Sequence, residues 1–118
     1  MDKIQNFKDL RIWQDSIDLV QSIYEITKEF PKDELYGLVN QVRRASVSIP
    51  SNVSEGFMRH HNKEFKQFLF IALSSSAEVE TQLIIAEKLK YISIEKLENI
   101  NEKLDKFNRM TMSLIKRL

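Results

Sequence analysis

Chemistry-bearing residues crowd into one stretch, Arg43 to Arg59, which reads RRASVSIPSNVSEGFMR. Arg43, Arg44 and Arg59, with Lys63 and Lys66 just beyond, offer cationic groups suited to phosphate, and guanidinium makes such contacts in bidentate fashion. Between the arginines lie Ser46, Ser48, Ser51, Asn52 and Glu55, a set of hydroxyl, amide and carboxylate groups that by composition could serve an active site. A spaced acid–base pair is missing, however: Glu55 has no carboxylate neighbour in sequence, and the only histidines, His60 and His61, are adjacent. The stretch therefore reads as a structural network of Ser46, Pro50, Asn52, Glu55 and Gly56, in which Asn52 and Glu55 satisfy backbone donors or an arginine. His60 and Glu64 have helical i, i+4 spacing. Without cysteine or a second spaced pair they read as a solvated loop, so no metal, no cofactor and no enzymatic activity is expected.

These residues must be positioned by long elements, because only two glycines and two prolines punctuate 118 residues. Leu10, Trp13, Ile17, Val20 and Tyr24 recur at helical steps and predict helix 1 from about Phe7 to about Glu29. Asn6 is placed to cap it, Asp9 to sit in its first turn, and Pro31 to turn Phe30 out of helical geometry. Leu35, Leu38, Val42, Ala45, Ile49, Val53 and Gly56 predict helix 2. The apolar register holds through Pro50, so the proline reads as a bend in one continuous helix. The Ser46 carbonyl, which loses its donor to Pro50, is expected to meet a nearby serine hydroxyl or water.

His61 or Asn62 is expected to cap helix 3, with Glu64 in its first turn and a core face running from Phe65 through Leu69, Ala72, Val79 and Leu83 to about Tyr91. Ser74, Ser75 and Ser76 read as small residues permitting close helix approach, and Phe57, Phe65, Phe68 and Phe70 as core rather than base-stacking groups. Ser93 and Glu95 signal the start of helix 4, where Leu97, Ile100, Leu104, Phe107, Thr111, Leu114 and Leu118 alternate steps of three and four. The expected fold is all-α: an antiparallel up-down-up-down four-helix bundle with a proline-bent second helix, as a single domain over residues 1–118. Helix 1 is apolar over more than half its circumference, including Trp13 and Phe30, and the surplus is expected to meet another subunit.

The formal net charge of +1 conceals segregation. Residues 1–34 carry eight acids and five bases, and residues 77–105 carry seven acids and four bases. Residues 35–76 set Arg43, Arg44, Arg59, Lys63 and Lys66 against Glu55 and Glu64, while residues 106–118 hold Lys106, Arg109, Lys116 and Arg117 with no acid. A basic surface is thus compatible with a neutral total. For Arg109, Lys116 and Arg117 a simpler account is the negative end of the helix 4 dipole. The absence of cysteine excludes a disulfide framework and a thiolate zinc site; with no apolar leader after Met1, a cytoplasmic location is expected. Charged residues are read as interrupting every apolar run, so no membrane association is expected.

Three segments carry a family resemblance: LRIWQDSIDLV, FPKDELYGLVNQVRRASVSIPSNVSEGFMR and EFKQFLFIALSSSAEVETQL. They cover about three quarters of the chain, and the middle one is specific. The chain resembles the four-helix-bundle proteins encoded by intervening sequences in bacterial large-subunit ribosomal RNA genes, and their relative, the accessory variability determinant of diversity-generating retroelements. It departs at Ser74, where glycine is usual, and at His60 and His61, where basic residues and a serine are common. The resemblance implies a homopentamer. For the retroelement relative it also implies a basic barrel that binds nucleic acid and works with a reverse transcriptase. Two functions follow as expectations: a non-catalytic oligomer that binds RNA or DNA through Arg43, Arg44, Arg59, Lys63 and Lys66, or a protein-interaction scaffold without nucleic acid.

Overall fold

In a computed structural model of the chain, which describes residues 4–118, four helices follow one another: α1 (Arg11–Thr27), α2 (Leu38–Phe57), α3 (Asn62–Lys88) and α4 (Ile94–Arg117). Single 3-10 turns occupy Phe7–Asp9 and Lys32–Glu34, and the described residues contain no strand. Each helix packs on its two neighbours in the cyclic order α1, α2, α3, α4 and back to α1, whereas the backbones of the diagonal pairs stay further apart. This is an antiparallel four-helix bundle, 48 Å long and 25 by 19 Å across. Leu19, Ile23, Val42, Ile49, Val53, Leu69, Val79, Leu83, Ile100, Leu104 and Phe107 fill its interior.

Helix 2 runs unbroken through Pro50, and Val42, Ile49 and Val53 are all fully buried on either side of it. The apolar periodicity therefore governs the path, and the proline sits inside the helix at the cost of one backbone hydrogen bond. The Ser46 hydroxyl does not serve its own orphaned carbonyl; it turns back to donate to Arg43 O at 2.8 Å. Ser48 is likewise committed elsewhere, to the Ser75 hydroxyl across the α2–α3 seam at 2.9 Å.

The start of helix 1 differs from expectation. Leu10 is extended (φ −72°, ψ 128°), which separates the Phe7–Asp9 turn from a helix beginning at Arg11. Asn6 caps that turn by accepting from Lys8 N, and Asp9 lies in the turn rather than in α1. At the other end α1 stops at Thr27, three residues before Phe30, whose buried ring packs against Tyr91 with centroids 5.6 Å apart. Helix 3 stops at Lys88, also earlier than expected. Lys90 adopts φ 66°, so that its amide donates to Glu87 O at 2.9 Å and the Tyr91 amide to Ala86 O at 2.8 Å, a Schellman closure. Ser93 caps α4 by accepting from Lys96 N. Near the end of α4 the buried stripe passes from Thr111 to Ile115, leaving Leu114 and Leu118 half-buried, because a helix of 3.6 residues per turn drifts off a strict heptad.

The α2–α3 seam is the closest in the bundle, and Gly56 shows why. A Cβ there would stand 2.5 Å from Phe68 Cβ and 3.1 Å from Phe65 Cδ1, so only glycine fits against these rings. Ala45, Ala72, Ser75 and Ser76 keep the rest of the buried faces of α2 and α3 small.

One reading of surface is corrected, that of Phe70. Helix 3 contains an 18-residue window of mean hydropathy 1.4, interrupted by Glu78 and Glu80 yet long and apolar enough by composition to cross a membrane. Only a third of that window is buried in the bundle. Its outer face leaves Phe70, Ile71, Ile84 and Ile85 between 38 and 49% exposed, so Phe70 is not a core residue. On helix 1, Trp13 and Ile26 pack against the core, and Ile17 and Val20 remain half-buried at its surface.

Candidate nucleic-acid interface

The five cations singled out in the sequence fall into two groups. Arg43 and Arg44 lie near the start of α2, and Arg59, Lys63 and Lys66 lie at or just beyond its end. Fifteen residues at 1.5 Å each put about 22 Å of helix axis between Arg44 and Arg59.

Arg43 is committed to helix 1. Its Nε donates to Thr27 Oγ1 at 2.8 Å and its Nη2 to Tyr24 O at 3.4 Å, and the guanidinium lies 4.5 Å from the Tyr24 ring centroid. Thr27, itself buried, donates to Ile23 O at 2.8 Å. The arginine thus satisfies a carbonyl in the last turn of α1 and meets the negative end of its dipole. Arg44 is exposed and lines a shallow polar groove between α2 and α3 with Gln41, Ser48, Ser75, Glu78 and Gln82.

The polar residues around Pro50 bond within the scaffold. Asn52 Nδ2 donates to Ser48 O at 2.8 Å and to Ser48 Oγ at 2.9 Å, and Glu55 pairs with Arg59 at 3.6 Å. Ser48 then continues to Ser75, so this network stitches α2 to α3. His60 belongs to the α2–α3 turn (φ 61°) and α3 begins at Asn62, so His60 and Glu64 are not on one helix face. Among the described residues no three His, Asp or Glu side chains converge as metal ligands.

The end of the bundle around that turn is different. Antiparallel packing brings it level with the start of α1 and the end of α4, as shown by Lys106 meeting Asp15 at 3.7 Å and Ser76 donating to Asn108 Oδ1 at 2.8 Å. Lys8, Arg11, Arg59, Lys63, Lys66, Lys116 and Arg117 therefore lie towards one end, where the described acids of the same segments are Asp9, Glu55 and Glu64, with Asp15 one turn further in. Arg59 stacks on Phe68 at 5.0 Å and remains half-exposed. His61 occupies the N-cap position of α3 without a side-chain hydrogen bond, so the positive end of this 27-residue helix faces the same region. The chain's two basic segments, far apart in sequence, thus meet in space, a convergence that no local spacing signals.

Elsewhere, several lysines are engaged. A groove of about 740 Å³ between α1 and α4 sets Asp15, Asp18 and Glu25 against Lys96, Lys103 and Lys106. Lys96 binds Glu29, Lys103 binds the Ser22 hydroxyl and Lys106 binds Asp15 across it. At the end remote from the α2–α3 turn, Glu34 joins three elements. Its carboxylate accepts from Leu38 N at 3.1 Å, which stands in for a cap of α2, and from Tyr91 Oη at 2.9 Å. That hydrogen bond, with partial burial and the nearby Glu34 and Asp33 charges, raises the Tyr91 pKa above its ordinary value.

The structure thus defines an all-helical, four-helix-bundle protein with cationic side chains towards one end. Residues 8–113 match the family model described as 23S rRNA-intervening sequence protein, and the chain belongs to that family. Among solved structures, it is similar to a protein of unknown function from the S23 ribosomal protein family of Bacteroides thetaiotaomicron. The two share 25% identity at a TM-score of 0.79, over 89% of this chain and 98% of the other. No curated protein is significantly similar to the chain.

Proposed function

We propose that this protein is a non-catalytic homo-oligomer that holds the phosphate backbone of RNA or DNA against the basic end of its bundle. The observation that carries this reading is the convergence of Arg59, Lys63 and Lys66 with Lys116, Arg117, Lys8 and Arg11, while carboxylates dominate the middle of the bundle. Such a dipolar charge distribution orients a polyanion towards one end even at a net charge of +1. Repetition of that end around an oligomer multiplies the contacts, and the pentamer implied by the family resemblance is the assembly the reading adopts. The reading includes a cytoplasmic location.

Two unpartnered apolar surfaces support self-association. One is the outer face of α3, with Phe70, Ile71, Ile84 and Ile85. The other is a groove between α1 and α2 floored by Trp13, Ile17, Val20, Val47 and Pro50. They lie on different faces of the bundle, and a contact between two different faces builds a ring where its rotation closes, as the pentamer requires. Light scattering at micromolar concentration tests this, and a monomer contradicts it. Salt titration of binding to a mixed RNA and DNA pool tests the interface: retention at low salt and steep loss as salt rises is the expected result. The second reading, a scaffold for a reverse transcriptase or another protein, draws on the same α3 face; it gains if nucleic acid fails to bind at low salt while one protein co-purifies.

A further inference from the structure

We infer that the basic end is a proton-gated phosphate site, in which His60 and His61 supply two additional positive charges as the pH falls and tighten the hold on a nucleic-acid backbone. The inference rests on the reading of the basic end as a polyanion site and names how that site is regulated. Both histidines are exposed in the α2–α3 turn, between Arg59 on one side and Lys63 and Lys66 on the other. The turn holds them in place. His60 is left-handed (φ 61°) with its amide donated to Phe57 O at 3.3 Å and its ring set edge-on to Phe57 at 6.4 Å, and His61 is the residue from which α3 departs.

The charged groups on the elements that reach this end of the bundle come from every neighbour of the turn. They are Glu55 and Arg59 from α2, Lys63, Glu64 and Lys66 from α3, Lys8 and Asp9 from the 3-10 turn, Arg11 from α1, and Lys116 and Arg117 from α4. Glu55 is already paired with Arg59, and neither histidine has a carboxylate within ion-pair distance among the described residues. A phosphate backbone laid over the imidazoles attracts their protonated form. Binding and protonation are then mutually reinforcing, and by linkage the affinity must rise with acidity wherever the complex holds more protons than the free protein. Histidine is the side chain whose charge changes between about pH 5 and pH 8, so the gate acts in that interval. The arginines and lysines give affinity at any pH in this range, and the histidines make it adjustable.

The test is fluorescence anisotropy of a labelled single-stranded RNA of mixed sequence, and separately of DNA duplex, titrated with the full chain at fixed moderate salt at about pH 8 and about pH 5.5. The expected result is affinity tighter by about tenfold at the lower pH, with a steeper dependence on salt, because each added phosphate contact contributes a slope of about 0.7 to 0.9. In the double variant His60→Gln, His61→Gln the affinity at the higher pH is retained and the acid-induced tightening is lost. Circular dichroism of that variant at both pH values confirms that the fold is intact. Binding that is equal at the two pH values overturns the inference alone. So does an acid-induced gain that persists in the double variant. Absence of binding at both pH values overturns it together with the basic-end reading.

Discussion

Arg43 Nε donates to Thr27 Oγ1 at 2.8 Å while its guanidinium covers the Tyr24 ring, so an arginine from the start of α2 closes the C-terminal turn of α1. This fixes its role in the fold. Replacing it with methionine, which keeps much of the stem, removes a charge-assisted bond to a buried hydroxyl, and a loss of about 1.5 to 3 kcal/mol is expected. Urea denaturation of Arg43→Met against the parent chain measures it, and nucleic-acid affinity per folded molecule is expected to stay unchanged.

Gly56 permits the α2–α3 contact at Phe68. Gly56→Ala places a methyl 2.5 Å from Phe68 Cβ, an atom fixed to backbone that cannot swing aside. Overpacking of this kind costs about 1 to 3 kcal/mol. The melting temperature is expected to fall, and Phe68→Ala in the same chain is expected to add less than its separate cost, because it removes the ring carbons that the new methyl also crowds.

Thr111 lies fully buried in the α4 stripe, and its hydroxyl has no hydrogen-bond partner. Thr111→Val keeps the shape and removes the unsatisfied group, so stability is expected to rise by about 1 kcal/mol. Chemical denaturation reads the change, and a loss of stability would mean that the hydroxyl is satisfied in solution.

The Tyr91 hydroxyl donates to Glu34, which also receives the Leu38 amide, so one carboxylate ties the α3–α4 turn to the start of α2. The Tyr91 pKa is raised in the fold, chiefly by that hydrogen bond, which means the folded chain holds this proton more tightly than the unfolded chain does. Its contribution is complete below the ordinary tyrosine pKa of 10.0 and is lost as the pH climbs through the raised value. Tyr91→Phe is expected to be less stable at neutral pH, with the difference from the parent narrowing at high pH; paired denaturation curves at neutral and alkaline pH measure this.

What the sequence disclosed follows from the range of the signals. Helix 2 was readable through Pro50 because apolar residues at steps of three and four on both sides report one continuous face. The start of helix 1 was not, since the extended Leu10 is a backbone choice that leaves the apolar stripe undisturbed. The exposed apolar face of α3 escaped notice because tracing a single core stripe through Phe65, Leu69 and Ala72 does not weigh the residues between, and Phe70 and Ile71 lie on the opposite side. The candidate site was legible only in parts. Arg59, Lys63 and Lys66 stood out locally, yet their union with Lys116, Arg117, Lys8 and Arg11 depends on antiparallel packing, and so does the separation of Arg43 and Arg44 from them.

The most direct measurement is the salt dependence of nucleic-acid binding by the variant Arg59→Gln, Lys63→Gln, Lys66→Gln beside that of Arg44→Gln. All four side chains are at least partly exposed, so both variants are expected to fold. The expected result is that the triple variant binds much more weakly, with the slope of log K against log salt shallower by about two units, at about 0.7 to 0.9 per lost phosphate contact. Arg44→Gln is expected to leave affinity and slope close to those of the parent. Unchanged binding by the triple variant, or an equal loss in Arg44→Gln, contradicts the assignment of the polyanion site to the basic end.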